Sequence, residues 1–150
     1  MTNRSYIGTK LISASPMTRL EYNDLRGWTV PADENPGDDG YLVEYLDGGS
    51  ANHPDYTGYI SWSPKEVFDC AYRPVSAMTF GDALVMLKDG KRVCRAGWNG
   101  NGMWIEMTGA VDYSFSELLP HFVIKNVSNS FSTWVPSIND CLAEDWMVVE

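Results

Sequence analysis

The chain of 150 residues has 20 aspartates and glutamates against 11 lysines and arginines, which gives a formal net charge of −9. This length fits one domain or two small ones, and the acidic balance argues against charge-driven binding to nucleic acid or membranes. No signal peptide is expected after Met1, and no apolar run approaches the ~20 residues of a membrane helix. The three widely spaced cysteines (Cys70, Cys94 and Cys141) fit a reducing cytoplasm better than a disulfide framework.

The first half of the chain, residues 1–75, is predicted to be rich in β-structure. Its strands are expected where aromatic and β-branched residues concentrate, over residues 5–13, 41–46 and 59–62. A loop is expected over residues 31–40, where proline, glycine and acidic residues are frequent. Arg73-Pro74-Val75 is the predicted boundary with residues 76–150, because a proline disfavours helical conformation in the residue before it.

Two serine–proline pairs predict the starts of helices in this half. Ser15-Pro16 and Ser63-Pro64 each place an N-cap residue before a proline that suits the first helical position. The first helix is expected to end near Gly27, and the second is expected to cover residues 65–72.

The second half, residues 76–150, is predicted to open with a helix over residues 80–89. Thr79 and Asp82 have a spacing typical of a capping box, and Gly90 can end the helix in a left-handed conformation. Strands are then expected over residues 91–95, 103–107, 122–127, 131–135 and 146–149. Their connections are predicted to be a turn at 98–102, a loop at 109–115 and a turn at 116–119. Short connections favour antiparallel pairing, so the predicted fold class is α+β, an antiparallel β-sheet with a few short helices.

A basic cluster and a tryptophan lie where this half turns from helix to sheet. The cluster consists of Lys88, Lys91, Arg92 and Arg95. Its members could contact phosphates, for which arginine offers a bidentate fork, or could be charges that favour a helix C-terminus. Trp98 precedes a turn rich in glycine and asparagine and could either stack on a base or pin the hairpin to the core. Trp104, in mid-strand, is expected in the core.

A second dense stretch runs from Thr133 to Trp146. Pro136-Ser137 is expected to begin a helix in which Ser137 and Asp140 form a capping box, and such a helix N-terminus can also bind an anion. Three of its side chains are expected to point inward: Ile138, Cys141 and Leu142.

The same stretch contains carboxylates that could perform acid–base chemistry: Asp140, Glu144 and Asp145. No activated nucleophile and no cluster with metal-ligand spacing accompanies them in the sequence. An enzyme, such as a hydrolase of cyclic nucleotides, is therefore the weaker interpretation, and neither a metal nor a cofactor is expected.

Three segments of the second half form a specific combination. They are Met78-Thr79-Phe80-Gly81-Asp82-Ala83-Leu84, Arg95-Ala96-Gly97-Trp98-Asn99-Gly100, and the run that starts at Trp134-Val135-Pro136-Ser137 and closes with Asp140 and Leu142-Ala143-Glu144-Asp145-Trp146. Over residues 78–149 the chain thereby resembles a small phage family, the second type of Thoeris anti-defence protein.

The resemblance implies a non-enzymatic sponge. Members of this family bind glycocyclic ADP-ribose, the signal made by bacterial TIR-domain proteins, and hold it intact so that the Thoeris effector stays silent. Some are also described as holding cyclic dinucleotides at separate sites. The family assembles as a homotetramer with ligand sites between subunits, and a phage protein of this kind would act in the host cytoplasm.

By motif match, the resemblance also assigns residues to the ligand site. Trp98 would stack on the base. Trp134, Ser137 and Asp140 would line the pocket, and Arg95 and Asn99 would supply polar contacts.

Shorter members of the family are essentially the second half alone, so residues 1–75 are expected to be an accessory module whose role the sequence does not give. The alternative to a ligand sponge, besides the hydrolase, is a phage structural or protein-interaction module in which the aromatic residues serve an interface.

Overall fold

The computed structural model describes residues 4–109, 111–113 and 116–149. The chain divides into two compact units, Met1–Tyr72 and Arg73–Glu150. Both units are built from antiparallel strands and short helices, so the predicted α+β class is confirmed. No helix in the described ranges is both long and apolar enough to span a membrane.

The first unit is a three-stranded sheet with two helices. The strands, in the spatial order β1-β2-β3, are β1 (Ile12–Pro16), β2 (Gly40–Tyr45) and β3 (Tyr59–Pro64), and the helices are α1 (Arg19–Arg26) and α2 (Lys65–Ala71). Tyr22 of α1 packs on Leu42 and Ile60, which are buried in the core of this unit. Two of its three predicted strands, both helices and the end of the first helix at Gly27 are confirmed.

The first strand and the first helix start later than predicted. Strand β1 begins at Ile12, and Ser15-Pro16 belongs to this strand and does not cap a helix. The N-cap is Thr18, whose side chain accepts a hydrogen bond from the Glu21 N–H while the Glu21 carboxylate accepts one from the Thr18 N–H. This reciprocal pair satisfies two backbone donors. Ser15 could not form such a pair, because the residue three positions after it is Thr18, which has no carboxylate, and a proline is tolerated at the end of an edge strand. The predicted cap of the second helix at Ser63 is also wrong, because the N-cap of α2 is Pro64, which makes no side-chain hydrogen bond.

The second unit is built on a five-stranded sheet in which every neighbouring pair is antiparallel. In spatial order its strands are β10 (Trp146–Val149), β4 (Arg92–Arg95), β5 (Trp104–Thr108), β8 (His121–Lys125) and β9 (Phe131–Trp134). Two helices accompany the sheet, α3 (Phe80–Lys88) and α4 (Ile138–Leu142). The predicted order of helix, strands, helix and final strand is confirmed.

Helix α3 is positioned by its cap and by one apolar face. Thr79 and Asp82 form the predicted capping box, and Gly90 follows the helix with a φ of 80°. Ala83, Met86 and Leu87 are buried against the sheet, where the core is centred on Val93, Ile105 and Trp146. Because successive strand residues point to opposite faces, these three sheet residues fix which face the helix covers.

Trp104 is the first of three places where the second unit differs from prediction. Ile105 belongs to the core, so its neighbour Trp104 lies on the opposite face of the sheet. There the Arg92 guanidinium lies 4.2 Å from the centre of the Trp104 ring, and Phe131 packs edge-on against it. The prediction that Trp104 is a core residue is therefore wrong.

The stretch predicted as a loop at 109–115 and a turn at 116–119 contains a small hairpin. Strand β6 (Val111–Tyr113) pairs antiparallel with β7 (Ser116–Leu118). Strands of three residues are too short to show alternation in a sequence. Ala110, Ser114 and Phe115, which the loop prediction also included, lie outside the described residues.

The predicted inward packing of α4 is also wrong. Ile138 is 79% exposed, Leu142 is 76% exposed, and Cys141 is exposed as well. This helix has only five residues and is held by hydrogen bonds of Asp140 instead, so its apolar side chains remain on the surface of the chain.

Candidate functional site

The predicted site residues converge where the C-terminal end of β4 meets the start of β10. Trp146 pairs with Arg95 in the antiparallel ladder of these two strands, so Asp145, just before β10, lies beside the turn that follows β4. Helix α4 ends a few residues before Asp145 and brings Asp140 to the same place. Residues about 45 positions apart in the chain thus become neighbours.

Arg95 is held by two carboxylates. Its Nε donates to Asp145 Oδ1 over 2.8 Å, and its Nη1 donates to Asp140 Oδ1 over 3.0 Å. Only 20% of the Arg95 side chain is exposed. Within the described parts of the chain, Nη2 is the one guanidinium nitrogen without a hydrogen bond. With Nε and Nη1 each bound to a carboxylate, Nη2 is the nitrogen of Arg95 that is left to contact a phosphate.

Asp140 has a second function as part of a helix cap. Its Oδ2 accepts hydrogen bonds from the backbone N–H and the hydroxyl of Ser137, at 2.9 and 2.7 Å. Its Oδ1 accepts the Arg95 bond and a 3.4 Å bond from the indole N–H of Trp98. The predicted capping box is confirmed, and the same carboxylate orients an arginine and a tryptophan.

Three tryptophans and a phenylalanine form an aromatic cluster at the site. Trp98 packs edge-on against Trp134 and Trp146, with ring centroids 6.2 and 5.5 Å apart. Phe80 of α3 lies 5.4 Å from Trp146 and 6.4 Å from Trp134. Trp146 is fully buried and donates its indole N–H to the Asp140 carbonyl, whereas Trp98 and Trp134 are half-buried. Trp98 thus contacts the core and also keeps surface for a ligand.

The electrostatics of the site keep its acids ionised. The hydrogen bond from Arg95 is the main cause that lowers the pKa of Asp145. Burial raises the pKa of Asp140, but hydrogen bonds from Ser137, Arg95 and Trp98 together outweigh it, so that this pKa also lies below its ordinary value. A general acid or base for neutral pH needs a pKa near 7, and these two carboxylates are shifted away from it.

The structure separates the basic cluster. Arg92 lies three positions before Arg95, and it pairs with Glu106 and Trp104 on the other sheet face. Lys91 lies 3.7 Å from Asp89, and Lys88 is in the last turn of α3. Of the four basic residues, Arg95 alone belongs to the site.

Five of the six predicted site residues are brought together: Trp98, Arg95, Trp134, Ser137 and Asp140. Asn99 is exposed and makes no hydrogen bond to any residue that the structure describes. The predicted turn over residues 98–102 is confirmed, and Gly102 is the residue in it with a positive φ, of 75°. Gly100 is needed for space, since a Cβ there would collide with Met103 and Val127.

The ligand site predicted from the sequence did not include Gly97, nor Asp145, which was considered only as a possible acid–base group. Asp145 Oδ2 accepts a 2.7 Å hydrogen bond from the Gly97 N–H, and a Cβ at Gly97 would lie 2.9 Å from the same oxygen. The signal that could have found them is the antiparallel pairing of the first and last strands of the unit, which places Asp145 beside the β4 turn.

The comparisons with known proteins match this unit. The family model of the Thoeris anti-defense 2-like domain matches residues 78–149. The chain is similar to Thoeris anti-defense 2 of Bacillus phage SP01, at 38% identity over 84 residues that cover 48% of this chain and 94% of that protein. The range matched by the family model contains every site residue named above.

Proposed function

Because the chain belongs to the Thoeris anti-defense 2 family, we propose that it blocks Thoeris immunity as a sponge, in which the Arg73–Glu150 unit is the signal-binding domain. It binds glycocyclic ADP-ribose, the signal of bacterial TIR-domain proteins, in the host cytoplasm and holds it without cleaving it. The observation that carries the proposal is the convergence of Trp98 and Trp134 with the ion-paired Arg95 and Asp140.

The aromatic part of the site suits a base. A base that stacks on a tryptophan gains roughly 1–3 kcal/mol, and Trp98 is half-buried with its edge fixed by Asp140. A ring that is already ordered loses less side-chain entropy on binding, and tight sequestration depends on such preorganisation. Trp98 therefore has the role of base platform, and Trp134 forms the adjoining wall.

The polar part of the site suits the ribose and phosphate groups. Arg95 Nη2 can donate to a phosphate oxygen while Nε and Nη1 stay bound to Asp145 and Asp140. The Ser137 hydroxyl retains acceptor capacity, and the exposed Asn99 amide can both donate and accept. These polar groups orient the ligand, and the rings of Trp98 and Trp134 supply most of the apolar contact with it.

The state of the carboxylates supports binding without turnover. Asp140 and Asp145 have lowered pKa values and their oxygens accept hydrogen bonds from Arg95, so neither is poised to transfer a proton at neutral pH. This distinguishes the proposed sponge from a hydrolase that would use the same residues as acid and base.

The surface near the site supports self-association, and we include a homotetramer in the proposal. Val135, Ile138 and Leu142 are 83%, 79% and 76% exposed and lie in or beside α4, next to the Asp140 that lines the site. Large exposed apolar side chains that fall within one short segment of the chain favour an interaction surface there. A second subunit on this surface would close one side of the pocket.

The test is capture and release of the intact signal. The protein is mixed with glycocyclic ADP-ribose, separated from free ligand, and heated to denature it, and the released material is analysed by mass spectrometry. We expect the concentration of free ligand to fall on mixing, and we expect heating to release the ligand chemically unchanged. Product that accumulates with time would indicate a hydrolase, and ligand that stays free throughout would indicate a structural or interaction module. A parallel calorimetric panel with cyclic dinucleotides tests for a second ligand class.

A further inference from the structure

We infer that Asp145 is a positioning residue that holds the turn of residues 95–98, and with it Trp98, in the shape that the signal needs. This inference rests on the proposed function, because it concerns the same site. It adds a residue to which the motif match assigns no role, and one that need not touch the ligand at all.

The contacts of Asp145 reach both ends of this turn. At the strand end, Oδ1 accepts from Arg95 Nε over 2.8 Å. At the turn itself, Oδ2 accepts from the Gly97 N–H over 2.7 Å, and the Asp145 carbonyl accepts from the Ala96 N–H over 3.0 Å. One residue thus binds three consecutive positions, and the Trp98 N–H closes the turn onto the Arg95 carbonyl.

The position of Trp98 depends on the backbone of the residues before it, which Asp145 holds. Its ring is held by Asp140 at 3.4 Å, which is a long bond, while the backbone before it is held by the shorter bonds of Asp145. Gly97 also allows the close approach, because a Cβ would lie 2.9 Å from Asp145 Oδ2. Loss of the Asp145 contacts would leave the turn free to adopt other conformations while Trp98 keeps its chemistry.

This role predicts a specific kinetic signature. If only a fraction of the protein molecules have the turn in the conformation that binds ligand, the apparent affinity is reduced in proportion to that fraction. The reduction then appears as a slower association rate. A residue that contacts the ligand directly would instead change the dissociation rate. The two roles are therefore separable by kinetics.

The experiment uses the full chain with Asp145→Asn. This substitution keeps the shape of the side chain, but one carboxylate oxygen becomes an NH2 group, so the side chain cannot accept the hydrogen bonds of both Arg95 and Gly97. A second variant, Gly97→Ala, disturbs the same contact from the other side and keeps the charge. Glu106→Gln is the matched control, because Glu106 pairs with Arg92 on the opposite sheet face. Each protein carries 5-fluorotryptophan, and the Trp98 resonance is assigned with Trp98→Phe.

For both site variants we expect a Trp98 fluorine resonance that shifts or broadens without ligand. We also expect slower association with glycocyclic ADP-ribose by roughly 10-fold, the scale of one lost hydrogen bond to a charged group, with the dissociation rate unchanged. The control should match the unsubstituted protein in both measurements. An unchanged Trp98 resonance, or a loss carried by faster dissociation, would overturn the positioning role. If the unsubstituted protein bound no signal, the proposed function would fail, and the ligand-free fluorine spectra would still decide whether Asp145 positions Trp98.

Discussion

The indole N–H of Trp98 donates to Asp140 Oδ1 over 3.4 Å, across 42 positions of sequence. The other oxygen of Asp140 caps helix α4 through Ser137. The Asp140 carboxylate therefore connects Trp98, the proposed base platform, to the N-terminus of α4. Substitutions that disturb the Ser137–Asp140 cap should therefore change the affinity for the ligand. Trp98 should also be ordered in the ligand-free protein.

Trp98→Ala should weaken the binding of glycocyclic ADP-ribose by about 10- to 100-fold, the range expected for loss of one stacked base. Trp104→Ala is the control, because Trp104 lies on the opposite face with Arg92 and Phe131. Calorimetry measures the affinity, and light scattering should show the oligomer unchanged in both variants. If Trp98→Ala failed to fold while Trp104→Ala folded, the main role of Trp98 would be to pin the turn to the core.

The Arg95 ion pairs should make stability depend on pH in the acid range. The folded-state pKa of Asp145 is depressed below its ordinary value of 3.8, so the stabilisation is fully present above that value and is lost as the pH falls through the folded-state pKa. Arg95→Met should therefore lower the urea midpoint most at pH 7, and the gap to the unsubstituted protein should narrow below about pH 4. Near-UV circular dichroism of the tryptophans follows the unfolding.

Arg92→Met provides the control for that series, because Arg92 is more than half exposed and pairs with Glu106 at 3.2 Å. Exposed pairs contribute little, so this variant should stay close to the unsubstituted protein at every pH. A gap for Arg95→Met that stays constant from pH 7 to pH 3 would show that Arg95 stabilises the unit by packing and not by charge.

The cap of α3 should contribute measurably to the stability of the second unit. Thr79→Ala removes the hydroxyl that accepts from the Asp82 N–H and should cost about 1 kcal/mol of unfolding free energy. Thr79→Ser keeps the capping oxygen and should remain within a few tenths of a kcal/mol of the unsubstituted protein. Urea unfolding compares the two. Equal losses in both variants would mean that the threonine methyl group, and not the cap, is what matters.

The apolar surface at α4 should govern self-association. Ile138→Glu places a charge at a position that is 79% exposed in the single chain, so the fold should persist while the oligomer dissociates. Val67→Glu, at an exposed position of α2 in the other unit, is the matched control. Light scattering coupled to gel filtration measures the mass. An oligomer that survives Ile138→Glu would place the subunit interface elsewhere.

Local features of this protein could be predicted from the sequence because the partners lie close together in the chain. The capping boxes of Thr79 with Asp82 and of Ser137 with Asp140 join residues three positions apart, and both are confirmed. Most strands were also predicted where aromatic and β-branched residues are dense, but the strand predicted over residues 5–13 shares only its last two residues with β1, and the β6–β7 hairpin was predicted as loop and turn. The cap at Thr18 was missed because the nearby Ser15-Pro16 offered a similar pattern, and only the strand register shows that this pair belongs to β1.

The motif around Trp98 and the family resemblance were accessible from the sequence alone, and they indicated which residue types matter. The tertiary structure decided which of them meet. Antiparallel pairing of β10 with β4 brings Asp145 to Arg95 and Gly97, and the alternation of side chains sends Arg92 and Trp104 to the opposite face. These outcomes depend on long-range register, and a shift of one residue would exchange the two faces of a strand, which no local pattern near Arg95 can specify.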